Sequence, residues 1–135
     1  MDKTGKFDLE KYPIHLGLNA KATVQDEFTG AVDWYERYGA QNAADGAEGR
    51  LVSLHSFSSP WGTWEMHPEG EELVVCISGK MTLIQEIDGK HQRVELLPGE
   101  AIVNPRGVWH TADVHEKACA LFITAGMGTQ VRPRN

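Results

Sequence analysis

Short apolar segments separated by turn residues dominate the second half of the chain. They predict eight β-strands, at residues 51–57, 61–67, 72–78, 81–87, 91–97, 101–103, 108–114 and 118–125. Between the fourth and fifth segments stands Asp88-Gly89, a pair that favours a tight hairpin because both residue types tolerate positive φ. Helical segments do not alternate with these strands. The pattern therefore predicts an all-β antiparallel sandwich or barrel and not a doubly wound parallel sheet.

The first fifty residues carry a weaker pattern. Residues 30–38 place apolar and aromatic side chains three positions apart, which predicts a short N-terminal helix. Small and polar residues at 39–49 predict a loop, either a plain linker or a lid. Isolated apolar positions within residues 1–25 predict edge strands that extend the sheet or cross to a second subunit. The predicted units are an arm with a helix and loop (1–50), a β-domain (51–125) and a C-terminal tail (126–135).

Composition narrows the class of protein. The chain has 135 residues, of which 41% are hydrophobic and 24% charged, as in a single globular domain. Its net charge of -6 predicts no binding to nucleic acid or to an anionic membrane. No apolar stretch approaches the ~20 residues of a membrane span, and the N-terminus lacks the apolar core of a secretory signal. We therefore expect a cytoplasmic protein whose two cysteines are buried thiols.

Most potential ligand side chains lie in two segments of the β-domain. Residues i and i+2 share one face of a strand, so Glu65 and His67 point the same way, and a carboxylate and an imidazole can share one cation. Glu72 follows a tight turn and can fold back beside His67. His110 comes from a strand distant in sequence, which is placed by the turn at 105–107.

The spacing of these residues resembles the two motifs of the cupins. In the first motif, His67 is followed after four residues by Glu72 and after six more by Gly79. The second motif is matched by the positions of Gly99, Pro105, Gly107 and His110. The resemblance covers residues 51–125 and implies a small single-domain cupin, an antiparallel jelly-roll barrel (a double-stranded β-helix). Small sugar-isomerase-like cupins are similar at the level of the fold.

Two positions depart from the family pattern. Glu65 stands where the first histidine of the His-x-His pair is usual, and Val114 stands in place of the closing asparagine. The family commonly holds a metal through three histidines and one glutamate. Carried over to this chain, the resemblance implies two imidazoles and two carboxylates as metal ligands, namely Glu65, His67, Glu72 and His110.

A site of this composition suits a divalent cation. Oxygen-rich ligation favours hard ions such as Mn²⁺ or Fe²⁺, while the imidazoles also allow Zn²⁺, Co²⁺ and Ni²⁺. Open positions on the ion would polarise a small oxygenated molecule, such as a sugar or keto acid, in isomerase- or lyase-like chemistry. Without a metal, two close carboxylates cannot both ionise cheaply. Glu65, Glu72 and His110 are then the candidates for acid–base catalysis.

Three further side chains are expected to line the pocket, because of the strand face or the strand position that each occupies. These are Trp61, which shares the face of Glu65, Cys76, which shares the face of Glu72, and His55. Trp64 and Trp109 face the opposite way and predict a covered surface, either a homodimer interface or a face packed under the N-terminal segment. His15 lies near a turn and is expected to be solvated.

Two other functions are compatible with the same residues. A non-catalytic cupin that binds or senses a small ligand would have a sealed apolar pocket and weak or no metal affinity. A metal-dependent dioxygenase would hold iron and consume oxygen with a phenol or thiol. Metal content is the property that separates these alternatives most cheaply.

Overall fold

The computed structural model describes residues 4–135, which form eleven β-strands, one α-helix and one 3₁₀ helix. The strands are β1 (Ile14–Gly17), β2 (Lys21–Val24), β3 (Arg50–Phe57), β4 (Thr63–Met66), β5 (Glu72–Gly79), β6 (Met81–Ile87), β7 (Lys90–Leu96), β8 (Ala101–Asn104), β9 (His110–Asp113), β10 (Ala118–Thr124) and β11 (Gln130–Pro133). The α-helix α1 spans Val32–Gln41, and the 3₁₀ helix spans Ala43–Glu48. Within the described residues no helix is long and apolar enough to cross a membrane.

The strands form two antiparallel sheets. The six-stranded sheet has the order β2-β1-β3-β10-β5-β8, and the five-stranded sheet has the order β11-β4-β9-β6-β7. Apolar side chains such as Val74, Leu83 and Phe122 pack together in the core. This arrangement confirms the predicted all-β antiparallel jelly roll. The barrel is not closed, however, because the hydrogen-bond ladders of the two sheets remain separate.

The N-terminal segment belongs to the same fold. β1 pairs with β2 and with β3, so the first strands extend the six-stranded sheet within the chain, one of the two predicted alternatives. The predicted helix exists but begins at Val32 and continues to Gln41. The loop prediction for residues 39–49 is wrong, because the end of α1 and the 3₁₀ helix occupy most of this segment.

A buried histidine connects α1 to the six-stranded sheet by hydrogen bonds. His15 on β1 is 4% exposed, in contrast to the solvated position expected from the sequence. Its Nε2 lies 2.7 Å from the carboxylate of Asp45, and its Nδ1 lies 2.6 Å from the hydroxyl of Tyr38. With the Nε2 proton donated to Asp45, Nδ1 accepts the proton of Tyr38. These two bonds hold α1 and the 3₁₀ helix against β1.

The C-terminal segment is a strand of the sheet and not the predicted tail. β11 pairs with β4 along its length. The guanidinium of Arg132 lies 4.4 Å from the ring of Trp109 and 5.3 Å from that of Trp64, and it pairs with Glu86. The two tryptophans are therefore covered by the chain's own last strand, and not by the N-terminal segment. The homodimer therefore stays a prediction, and the two tryptophan rings no longer support it.

Gly79, which closes the first motif, packs directly against backbone. Its φ is +75°, and a Cβ there would lie 2.0 Å from the carbonyl oxygen of Lys117. Gly89 has nearly the same φ of +74°, but nothing lies within 4 Å of a Cβ at that position. The two glycines therefore share nearly the same φ but differ in the space around them.

We predict that Gly79→Ala destabilises the protein far more than Gly89→Ala. The positive φ alone costs roughly 1–2 kcal/mol for an alanine at either site. The clash with Lys117 adds at least about 2 kcal/mol at Gly79, as in overpacked cores. Urea unfolding of the two variants measures the difference. Equal losses in the free energy of unfolding would contradict the packing role of Gly79.

Candidate metal centre and cavity

A cavity of about 920 Å³ opens between α1 and the inner faces of the sheets. Its volume lies in the range of small-molecule binding sites. Side chains of α1, β3 and β10 form its walls, and Gly126–Val131 contribute to one side. Glu65, His67 and Glu72 line the same cavity and bring ionisable groups to an otherwise largely apolar space.

Three buried side chains converge beside this cavity, and two of them, His67 and Glu72, line it. His67 lies just after β4, Glu72 begins β5 and His110 begins β9, and they are 4%, 5% and 1% exposed. One ligand atom from each lies within 4.8 Å of the others. The two motif segments are held together by a backbone hydrogen bond from Gly107 N to the carbonyl of His67, 3.0 Å long. Three of the four predicted ligands are therefore brought together.

The geometry of the cluster fits a shared metal ion. Nε2 of His67 is 3.3 Å from one oxygen of Glu72, and Nε2 of His110 is 3.1 Å from the other. Neither Nε2 has a hydrogen-bond partner, despite these short distances. Neighbouring ligand atoms that are each bound ~2.1 Å from one ion lie roughly 3.0–3.5 Å apart. The donor set thus suits a divalent cation, and both imidazole–carboxylate distances lie in this range.

A chain of buried hydrogen bonds orients the carboxylate of Glu72. One of its oxygens accepts a bond from Asn104 Nδ2 (3.0 Å), and the other accepts a bond from the hydroxyl of Thr124 (2.6 Å). Asn104 in turn accepts a bond from Gln85 Nε2 at 2.8 Å. Sequence reasoning missed all three supporting residues, because a single buried polar residue on a strand has no pattern that distinguishes it from a surface residue.

A hydrogen bond to Thr129 determines which ring nitrogen of His67 carries the proton. The threonine hydroxyl donates to the carbonyl of Gly126 at 2.8 Å, so it accepts the bond from His67 Nδ1 at 2.7 Å. The imidazole therefore carries its proton on Nδ1 and presents the Nε2 lone pair to the cluster. Such outer hydrogen bonds commonly orient metal-binding histidines. Thr129 was missed because it lies in the segment expected to be a tail.

Burial and the neighbouring charges shift the pKa values of Glu65, Glu72 and His110. Burial works to raise the pKa of Glu72, but the imidazoles of His110 and His67 outweigh it and hold that pKa far below its usual range. Burial works to lower the pKa of His110, and Glu72 beside it raises the pKa overall. Glu65 has its pKa raised, first by burial and then by the charge of Glu72.

The other predicted residues are divided between the cavity and the core. Glu65 pairs with His110 across β4 and β9 and lines the cavity, but its carboxylate is not among the three clustered ligand groups. Trp61 and His55 also lie on the cavity wall. Cys76 does not, although it faces inward, because it is fully buried in the apolar core together with Val74.

The helix α1 contributes a cavity residue that the sequence did not single out. Tyr35 lines the mouth and remains 47% exposed. Burial of its phenol raises its pKa to about 12, and the charges of Glu65 and Glu72 add to the effect. The N-terminal segment is thus part of the site, and not only an arm beside the β-domain.

We predict that Asn104→Leu lowers the stability of the metal-free protein by about 2–4 kcal/mol. The change removes the amide bond to a buried carboxylate oxygen of Glu72, and it leaves Gln85 Nε2 with only its bond to the carbonyl of Val103. Gln92→Leu, at an exposed position near the start of β7, is the matched control and is expected to change stability by less than about 0.5 kcal/mol. Chemical denaturation measures both. A loss at Asn104 no larger than that at Gln92 would show that the network does not support the site.

Comparison with known proteins identifies the family. Residues 58–125, half of the chain, match the Cupin_2 model of the cupin domain. No curated protein matches the chain significantly in sequence.

Solved structures share the fold at low identity. A cupin-2 domain containing protein from Shewanella frigidimarina is 21% identical over 63% of this chain and 71% of that chain, with a TM-score of 0.47. An oxalate oxidase in complex with the substrate analogue glycolate is 17% identical over 63% of this chain and 46% of that chain, with a TM-score of 0.52. A hydroquinone 1,2-dioxygenase in complex with Cd²⁺ and 4-hydroxybenzonitrile is 15% identical over 56% of each chain, with a TM-score of 0.50. At these identities the likeness shows the fold alone, and the match spans about half of each enzyme chain. The chain belongs to the Cupin_2 family of cupin domains.

Proposed function

We propose that the protein binds a divalent metal ion and uses it to bind and polarise a small oxygenated molecule in the cavity. The observation that carries the proposal is the buried cluster of His67, Glu72 and His110. Its three ligand atoms lie within 4.8 Å of one another, and two of them are imidazole nitrogens without hydrogen-bond partners. A bound Mn²⁺, Fe²⁺, Zn²⁺, Co²⁺ or Ni²⁺ would supply Lewis acidity toward a carbonyl or hydroxyl oxygen.

The chain's own residues have distinct roles in this proposal. His67, Glu72 and His110 hold the ion, while Thr129 and Asn104 keep the first two in their binding orientation. Isomerase- or lyase-like chemistry needs a group that accepts and returns a proton. Glu65 lines the cavity beside the cluster, where its carboxyl oxygen can hold that proton.

A non-catalytic ligand-binding module is the second candidate. The largely apolar wall of the cavity favours it, because binding alone needs shape and apolar contact. It gives no reason, however, for three buried ionisable side chains to converge at the cavity without hydrogen bonds between the imidazoles and Glu72. Metal affinity therefore separates the two candidates.

The direct test is the metal content of the protein after it has been stripped and reloaded. We expect one divalent ion per chain in the wild type and loss of binding in His110→Ala, because that change removes one of the three ligands. His115→Ala is the matched control, since His115 is exposed in a turn and should leave binding unchanged. Circular dichroism checks that both variants fold. Full metal content in His110→Ala would refute the proposed cluster.

A second prediction concerns the hydrogen bond from His67 to Thr129. Thr129→Val keeps the side-chain volume but removes the acceptor for the Nδ1 proton, and we expect metal affinity to fall about 10-fold or more. Thr129→Ser retains the hydroxyl and should bind like the wild type. Competition against a chromogenic chelator measures both constants. If valine and serine behave alike, Thr129 does not set the orientation of His67.

A further inference from the structure

Aromatic rings form a continuous series from α1 to the metal-binding cluster. Successive ring centroids along it lie 4.9–6.4 Å apart. In order from the mouth inward, the rings are those of Tyr35, Phe28, His55, Phe122, Trp61 and His110. Phe57 broadens this wall by packing against Trp61 and Phe122. The inner end of the series reaches the proposed metal ligands.

The charges of the cavity disfavour an anionic ligand. No lysine or arginine is among the described residues that line it, whereas Glu36, Glu65 and Glu72 are. His55 lies between Phe28 and Phe122, and burial lowers its pKa, so it behaves as a neutral ring of the wall. A keto acid or a phosphorylated sugar would therefore find no cation except the ion itself. This observation weighs against the keto acid expected from the sequence.

The polar groups of the cavity lie beside the cluster and on the side of α1, and several of them are already engaged in hydrogen bonds. Thr124 donates to Glu72, and Thr129 is bonded to His67 and Gly126. A sugar presents hydroxyl groups around its whole ring, and those facing the aromatic wall would lose their hydrogen bonds to water. A ligand with one polar end and an apolar ring avoids that cost. Val32, which is 72% exposed, adds apolar surface to the rim beside Tyr35 and Glu36.

We propose that the ligand of this cavity is a neutral aromatic molecule that carries an oxygen donor, such as a phenol or catechol. Its ring packs against the rings of Phe57, Phe122 and Trp61, and its oxygen points to the cluster of His67, Glu72 and His110. Stacked and edge-to-face contacts with these rings select an aromatic ligand over an aliphatic one. This inference rests on the proposed metal site.

The test uses two probes with the same metal-binding group, benzohydroxamate and acetohydroxamate, titrated into the metal-loaded protein. We expect benzohydroxamate to bind at least about tenfold more tightly, because only its ring can occupy the aromatic wall. Phe57→Leu should reduce this preference by roughly three- to tenfold without changing metal content. Phe7→Leu makes the same chemical change outside the cavity and should leave the preference intact.

The outcomes separate this inference from the metal proposal. If the wild type takes up no metal, the proposed function fails before either probe is added. If metal binds and the two hydroxamates bind equally, the aromatic ligand is overturned while the metal site stands. A preference for benzohydroxamate that survives unchanged in Phe57→Leu would likewise overturn the assignment of the ring to this wall.

Discussion

The site depends on one buried carboxylate held between two imidazoles. Glu72 is 5% exposed, and its oxygens accept bonds from Asn104 and Thr124 while facing the Nε2 atoms of His67 and His110. A buried carboxylate is costly unless its charge is compensated. The protein supplies this compensation from four strand ends and turns that come from different parts of the sequence. A divalent ion would complete the compensation and would explain why the two Nε2 atoms have no hydrogen bonds.

The fold brings these strand ends together, and its terminal segments complete the site. The core cupin match ends at residue 125, yet Thr129 beyond it fixes the orientation of His67. Before that match, α1 supplies Tyr35 to the cavity mouth, and the His15 bonds to Tyr38 and Asp45 hold the helix in place. The cluster thus lies within the matched residues, while the segments before and after them contribute to the cavity and to the support of His67.

The sequence predicted the parts of the structure that depend on periodicity and spacing. Alternating apolar residues revealed most strands of the two sheets, and fixed intervals placed His67, Glu72 and His110 together. The same methods failed for β11, because Arg132 docks through ring contacts and an ion pair that leave no apolar pattern. They also placed Cys76 on the cavity wall, since strand phase tells which way a side chain faces but not how deep along the core it lies. Buried polar partners such as Asn104 depend on tertiary contacts that no local pattern encodes.

The central claim is that His67 and His110 bind a divalent ion through Nε2. The most direct measurement is the ¹⁵N NMR spectrum of the imidazole rings during titration of the metal-free protein with Zn²⁺. We expect both rings to carry a proton on Nδ1 in the loaded state, and both Nε2 resonances to shift until one ion per chain is bound. Rings whose Nε2 resonances do not change when Zn²⁺ is added would contradict the claim.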